Sequence, residues 1–209
     1  MSASDGVPQK QGLTKITCAA EIEVKDSLEA GQMGSKLVRA IVGLCLAGVA
    51  TTANAQQAES TNRVAAKTDW SVFVEGDPKE CWSVSAPKET VNTRDGRVVA
   101  VRRSDILLFV FYRPGDGVKG QVTFTGGYPF AGGSTVNLNV SGTEFELFTE
   151  GEWAWPATEA DDAKIITAMK RGAQAVLSAR SGKGTRTKDT FSLLGFTAAI
   201  EDADKRCSN

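Results

Sequence analysis

The stretch from Met33 to Ala55 limits everything that follows it. Lys36 and Arg39 form a short basic region, Ala40 to Ala50 is apolar, and Ala53-Asn54-Ala55 is a small-x-small box ahead of Gln56. This is the layout of a cleavable secretory signal peptide, with cleavage after Ala55 and Gln56 as the new N-terminus. The apolar run falls far short of the ~20 residues that span a bilayer, so no membrane span is expected after cleavage. Cys45 does not make this a lipoprotein signal, because Leu44 fills the small position before it and the apolar run continues past it. Signal peptides begin close to their basic region, yet residues 1–32 are polar and acidic. Met33 is therefore expected to be the true start, with 1–32 translated upstream sequence, disordered or absent. What remains is a flexible lead-in over 56–68 and a single domain over 69–209, delivered to the periplasm or the outer surface.

Export decides how the cysteines read. Of four in the chain, Cys18 lies upstream of Met33 and Cys45 lies inside the signal. Cys81 and Cys207 remain, and an even pair in an oxidising compartment predicts a disulfide. Such a bridge closes a loop of over a hundred residues, for which chain entropy gives about 4–5 kcal/mol as an upper figure. The alternative is two free thiols. No C-x-x-C pair suggests redox catalysis.

Composition excludes more than it assigns. The chain has no histidine, which removes Ser-His-Asp and Cys-His catalysis and the usual histidine-bearing metal sites. No cofactor or metal is expected. A net charge of −1 gives no basic stripe for nucleic acid.

From Asp69 the pattern is one of short strands punctuated by turns. Trp70, Val72 and Val74 alternate with Ser71, Phe73 and Glu75. Cys81 to Ala86 follows a Gly76-Asp-Pro78 turn, and Asp95-Gly96 marks a hairpin. Val98 to Arg103 is a β-branched run. Ile106 to Tyr112 is apolar on both faces and predicts a central strand buried on both sides. Val118–Thr125, Ser134–Val140 and Thr143–Phe148 read as further strands. A helix starts at Thr158, with Glu159, Asp161 and Asp162 at its positive end. Ile166, Met169, Ala173, Val176 and Leu177 give it an apolar stripe running on toward Gly182. Thr187–Gly195 reads as a last strand, and Ala198–Lys205 as a short terminal helix that delivers Cys207. The class is mainly β: a sandwich with one packed α-helix and a short C-terminal helix, with a barrel as the competing arrangement.

The exported start, Asp69-Trp-Ser-Val72, Cys81-Trp-Ser-Val84, Gly126-Gly-Tyr-Pro-Phe130, Thr190-Phe-Ser-Leu-Leu-Gly-Phe-Thr197 and the terminal cysteine together resemble the invasion-associated locus B family of exported Gram-negative bacterial proteins. The likeness spans about Asp69 to Cys207. It implies an immunoglobulin-like β-sandwich in the periplasm or at the surface, and in some members an association with entry into host cells. It supplies no catalytic residue to carry over.

The residues offer a few candidate sites. Trp153 and Trp155 flank Ala154 and share a face if extended. With Tyr128, Phe130, Glu150 and Glu152 they could build an aromatic binding platform. The plainer alternative packs both rings under the helix that begins after Pro156. Glu144, Glu146, Glu150 and Glu152 invite a carboxylate-based hydrolase or glycan-acting reading, although alternation makes Glu144 and Glu146 a solvated strand face. Arg94, Arg97, Arg102 and Arg103 form a basic cluster suited to an anionic surface or glycan, or simply a solvated hairpin. Ser181-Gly-Lys-Gly-Thr185 lacks the helix start of a phosphate loop. The leading reading is a non-enzymatic exported protein that contacts an unidentified protein or envelope component.

Overall fold

The computed structural model describes residues 62–208. The expected signal peptide, its cleavage at Ala53, Ala55 and Gln56, and the start at Met33 lie outside those residues.

The described chain forms β1 (Arg63–Lys67), β2 (Trp70–Gly76), β3 (Lys79–Ser85), β4 (Glu89–Arg94), β5 (Arg97–Val98), β6 (Leu107–Arg113), β7 (Val118–Thr125), β8 (Thr135–Val140), β9 (Thr143–Glu150), β10 (Trp153–Trp155), α1 (Glu159–Arg171), β11 (Gln174–Arg180), β12 (Arg186–Ser192) and α2 (Phe196–Ser208). The strands form one sheet in the order β1-β2-β3-β6-β7-β10-β9-β8-β11-β12-β4-β5. Three-residue β10 pairs antiparallel with both β7 and β9 and joins the two halves.

The sheet folds over on itself. Phe124 of β7 meets Phe191 of β12 edge-on at 6.1 Å, and Trp70 Nε1 of β2 donates to Ser192 O at 3.0 Å. Strands four or more places apart in the sheet thus share one core, which is the expected mainly β sandwich with its layers continuous through β10. Alternation fills that core. Leu108, Val110 and Tyr112 of β6, Val136, Leu138 and Val140 of β8, and Ala175, Leu177 and Phe191 beyond them are buried.

Both helices pack on this core. Thr158 caps α1, its Oγ1 accepting from Asp161 N at 3.2 Å. Ile165 and Met169 face inward. The Asp162 carboxylate accepts from Val122 N of β7 at 2.7 Å. Phe196, Ala199, Ile200, Ala203 and Cys207 form the buried stripe of α2, with Phe196 edge-on to Trp70 at 4.9 Å. Cys207 is disulfide-bonded to Cys81 of β3, 126 positions away. Among the described residues, no helix is long and apolar enough to cross a membrane.

Several expectations need correction. The lead-in placed at 56–68 is strand from Arg63, because Arg63 to Lys67 pairs with β2. The first helix stops at Gly172, not Gly182. Gly172 caps the helix in extended conformation, and it sits too close to Val140 for a larger residue, since a Cβ there would lie 2.7 Å from Val140 Cγ1. Ala175 and Leu177 then point into the core at strand spacing, whereas the apparent helical stripe had joined Ala173, Val176 and Leu177 across that turn. The terminal helix runs from Phe196 to Ser208 and matches α1 in length, so it is not short. Of the run Val98–Arg103, only Val98 is in a strand. β6 is central, but Phe109 and Phe111 on its outer side are only half-buried.

Candidate functional site

Two surfaces gather the chemistry-bearing residues. The first is the outer face of the layer built from β2, β3, β6, β7 and β10. Register sets Phe73 opposite Trp82, and Trp82 opposite Phe111. Their rings continue as a row. Phe73 stacks on Trp82 at 5.4 Å with planes 2° apart, Trp82 lies 6.2 Å from Phe111, Phe111 5.1 Å from Phe109, and Phe109 6.0 Å from Trp153. Trp153 is 43% exposed, and Phe148, opposite Trp155 on β9, is 49% exposed.

Polar groups edge this row. Arg113 sits over the Phe111 ring at 4.5 Å, donates to Glu80 Oε1 at 2.5 Å, and donates to Gln121 at 3.0 Å. On the other flank, β9 turns Glu144, Glu146 and Glu150 outward, alternating with half-buried Phe145 and buried Leu147. None of these three glutamates pairs with a cation among the described residues.

The tryptophans therefore do share a face, flanking fully buried Ala154. They do not pack under α1; extended β10 turns them to the outside. The platform proposed around them is divided. Phe130 is buried against Phe124 at 6.1 Å. Tyr128 contacts Phe130 edge-on at 5.3 Å and sits in the second site, together with Glu152. Glu150 stays outward on β9 opposite Trp153, so Glu150 and Glu152 line different surfaces.

The second surface is a cleft of about 680 Å³ whose lining includes Arg94, Arg102, Arg103, Tyr128, Glu152 and Lys183. At its base Arg103 forms a two-pronged ion pair with Asp189, 2.8 and 2.6 Å. Arg103 also donates to Gly126 O at 2.8 Å and to Asn92 Oδ1 at 3.2 Å, and lies over the Tyr128 ring at 4.9 Å. The Tyr128 hydroxyl meets Thr187 Oγ1 at 2.5 Å. Burial pushes the Tyr128 phenol up from its ordinary range, against the opposing pull of Thr187 and Arg103. Three members of the predicted basic cluster, Arg94, Arg102 and Arg103, converge here; Arg97 lies on exposed β5 outside the lining.

Asp189 was not singled out from the sequence. Its signal was the alternation Thr187-Lys-Asp-Thr-Phe191, which places Asp189 on the same inward side as Phe191. Asp162 is the other buried carboxylate among the described residues. Burial raises it to about 6 against the pull of the Val122 N–H, with Asp161 and Glu159 adding to the rise. No group of three or more His, Cys, Asp or Glu suited to a metal occurs among the described residues.

Comparison with known proteins gives a family and a similar solved structure. A family model described as Invasion associated locus B (IalB) protein matches residues 70–204. No curated protein matches the chain. A solved structure described as invasion associated protein b from Bartonella henselae is similar at 18% identity and a TM-score of 0.49. The alignment covers 69% of this chain and 98% of that one.

Proposed function

This chain belongs to the invasion associated locus B family, and from that premise we propose that it is an exported, non-enzymatic protein working through contact with a protein partner at the envelope or at a host surface. The observation that carries the reading is the outward aromatic row from Phe73 to Trp153 with its acidic flank at Glu144, Glu146 and Glu150. A folded chain rarely leaves so many large rings on one sheet face without a contact for them to make. The flank selects the partner's chemistry: apolar side chains bordered by lysine or arginine.

Ring geometry favours protein over a flat ligand. Phe73 and Trp82 lie parallel and against each other, so each shields a face of the other. A stacking sugar needs open ring faces, whereas protein side chains can fill the gaps between ring edges. The hydrolase alternative needs two carboxylates facing across a cleft, and Glu150 and Glu152 lie on separate surfaces.

The test compares the secreted protein with its Trp153→Ala/Phe148→Ala variant for retention on intact bacterial envelopes and on host cells. The expected result is at least a tenfold loss of retention with unchanged circular dichroism, and salt-sensitive retention in the unaltered protein. Equal retention of the two proteins, or turnover of a substrate abolished by one side-chain change, overturns the reading.

A further inference from the structure

The basic cleft lies apart from the aromatic row and is not used by it. Its cations come from three separate segments: Arg94 at the end of β4, Arg102 in the connection before β6, and Lys183 at the β11–β12 turn. Glu152 is the one acidic residue in the lining. Arg103, at the base, has its charge taken up by Asp189. Arg94, Arg102 and Lys183 have no ion-pair partner among the described residues. Gathering unpaired cations around a concave surface costs free energy that a bound anion would recover.

The walls are held in place before any ligand arrives. Ser181 N donates to Thr185 O at 2.9 Å, Thr185 N donates to Ser181 Oγ at 3.1 Å, and Gly182 N donates to Pro129 O at 2.9 Å. Arg94 Nη2 donates to Thr185 Oγ1 at 2.7 Å, tying the end of β4 to that turn. On the opposite side, Ser104 N donates to Gly127 O at 3.0 Å and Arg103 Nε to Gly126 O, which fixes the segment bearing Arg102. A preset cleft loses little freedom on binding.

We propose that this cleft binds a sugar carrying a carboxylate or phosphate group, with Arg94, Arg102 and Lys183 holding the anion and Glu152 accepting from ring hydroxyls. Arginine forks match both oxyanions. The cleft volume exceeds what a bare inorganic anion fills, and the carboxylate of Glu152 would repel such an ion while suiting a hydroxyl donor.

Titration calorimetry of the secreted protein at low salt tests this with four probes: glucuronate, glucose 6-phosphate, glucose and inorganic phosphate. A fifth arm uses acidic oligosaccharide released from the bacterial envelope. The expected result is saturable binding of at least one acidic sugar, weakened about tenfold or more in Arg102→Gln/Lys183→Gln. That binding also weakens with salt, while glucose is silent. Tighter binding of the oligosaccharide than of the free sugars assigns the ligand to the envelope; the reverse assigns it to free metabolites. No binding of any acidic sugar, equal affinity in the variant, or inorganic phosphate binding as tightly as the sugars overturns the proposal. Trp153→Ala/Phe148→Ala is expected to bind these sugars normally, so this result and the partner-contact test fail independently.

Discussion

Arg103 and Asp189 meet inside the sandwich with both guanidinium prongs on both carboxylate oxygens, and Asp189 is 0% exposed. The two residues are 86 positions apart, so the pair fastens the connection before β6 to β12. Removing one member strands the other as a buried charge. Asp189→Ala is expected to cost about 3–5 kcal/mol, while Arg103→Met/Asp189→Leu costs much less or nothing. Urea denaturation of the three proteins separates these outcomes. A double variant as unstable as Asp189→Ala would show that the pair contributes more than mutual neutralisation.

Cys81 and Cys207 join β3 to the last turn of α2. Cys81→Ser/Cys207→Ser is expected to lower stability by about 2–5 kcal/mol. Thiol titration of the native protein should find neither cysteine free. Two reactive thiols there would contradict the bridge.

Asp162 imposes a pH dependence of unusual sign. Its folded value of about 6 lies above the ordinary 3.8. Between those values the folded chain holds a proton that the unfolded chain releases. Its contribution is therefore full below about pH 4 and is lost as pH rises through 6. Asp202, held low first by Arg206 and then by Lys67, slopes the other way, so the variant must be compared with the parent. Asp162→Asn keeps an oxygen for the Val122 N–H and removes the charge. It should raise stability at pH 7 by about 1 kcal/mol, discounted for partial solvation, and leave stability at pH 4 unchanged. Thermal melts at both pH values check this.

Gly195 immediately precedes α2 at φ +87, and a Cβ there would lie 1.9 Å from Lys67 O. Gly195→Ala is expected to cost about 2 kcal/mol or more, since both the backbone conformation and the contact forbid it. Hydrogen exchange should show loss of protection concentrated in β1 and the first turn of α2. Protection unchanged there would mean the junction relaxes freely.

Much of this architecture was legible in local pattern. Alternation around Trp70 and Val72, the Asp95-Gly96 turn and the Thr158 cap express short-range chemistry, while the pairing of the two late cysteines followed from their number and the expected compartment. What was not legible depends on distant partners. Gly172, the residue that follows α1, leaves no room for a Cβ because Val140 of another strand packs against it. Phe109 and Phe111 read as core because the run from Ile106 to Tyr112 is apolar on both faces, and only register across strands shows that one of those faces is an outer row. The same limit divided the site. Trp153 and Glu152 are adjacent in sequence, yet they line different surfaces, and the sequence cluster of Arg94, Arg102 and Arg103 gave no sign that Tyr128, Glu152 and Lys183 would join it.

The place of β12 between β11 and β4 has a kinetic consequence. β4 leaves β3, crosses to the other layer and pairs Glu89 with Thr190 near the far end of the chain. Until β12 is seated, β4 presents an open hydrogen-bonding edge, and only its small hairpin with β5 shields the other side. High contact order of this kind places folding in the slow range, milliseconds to seconds. In that interval a second copy's β12 competes for the same slot, so crowding of newly emerged chains favours strand exchange between molecules.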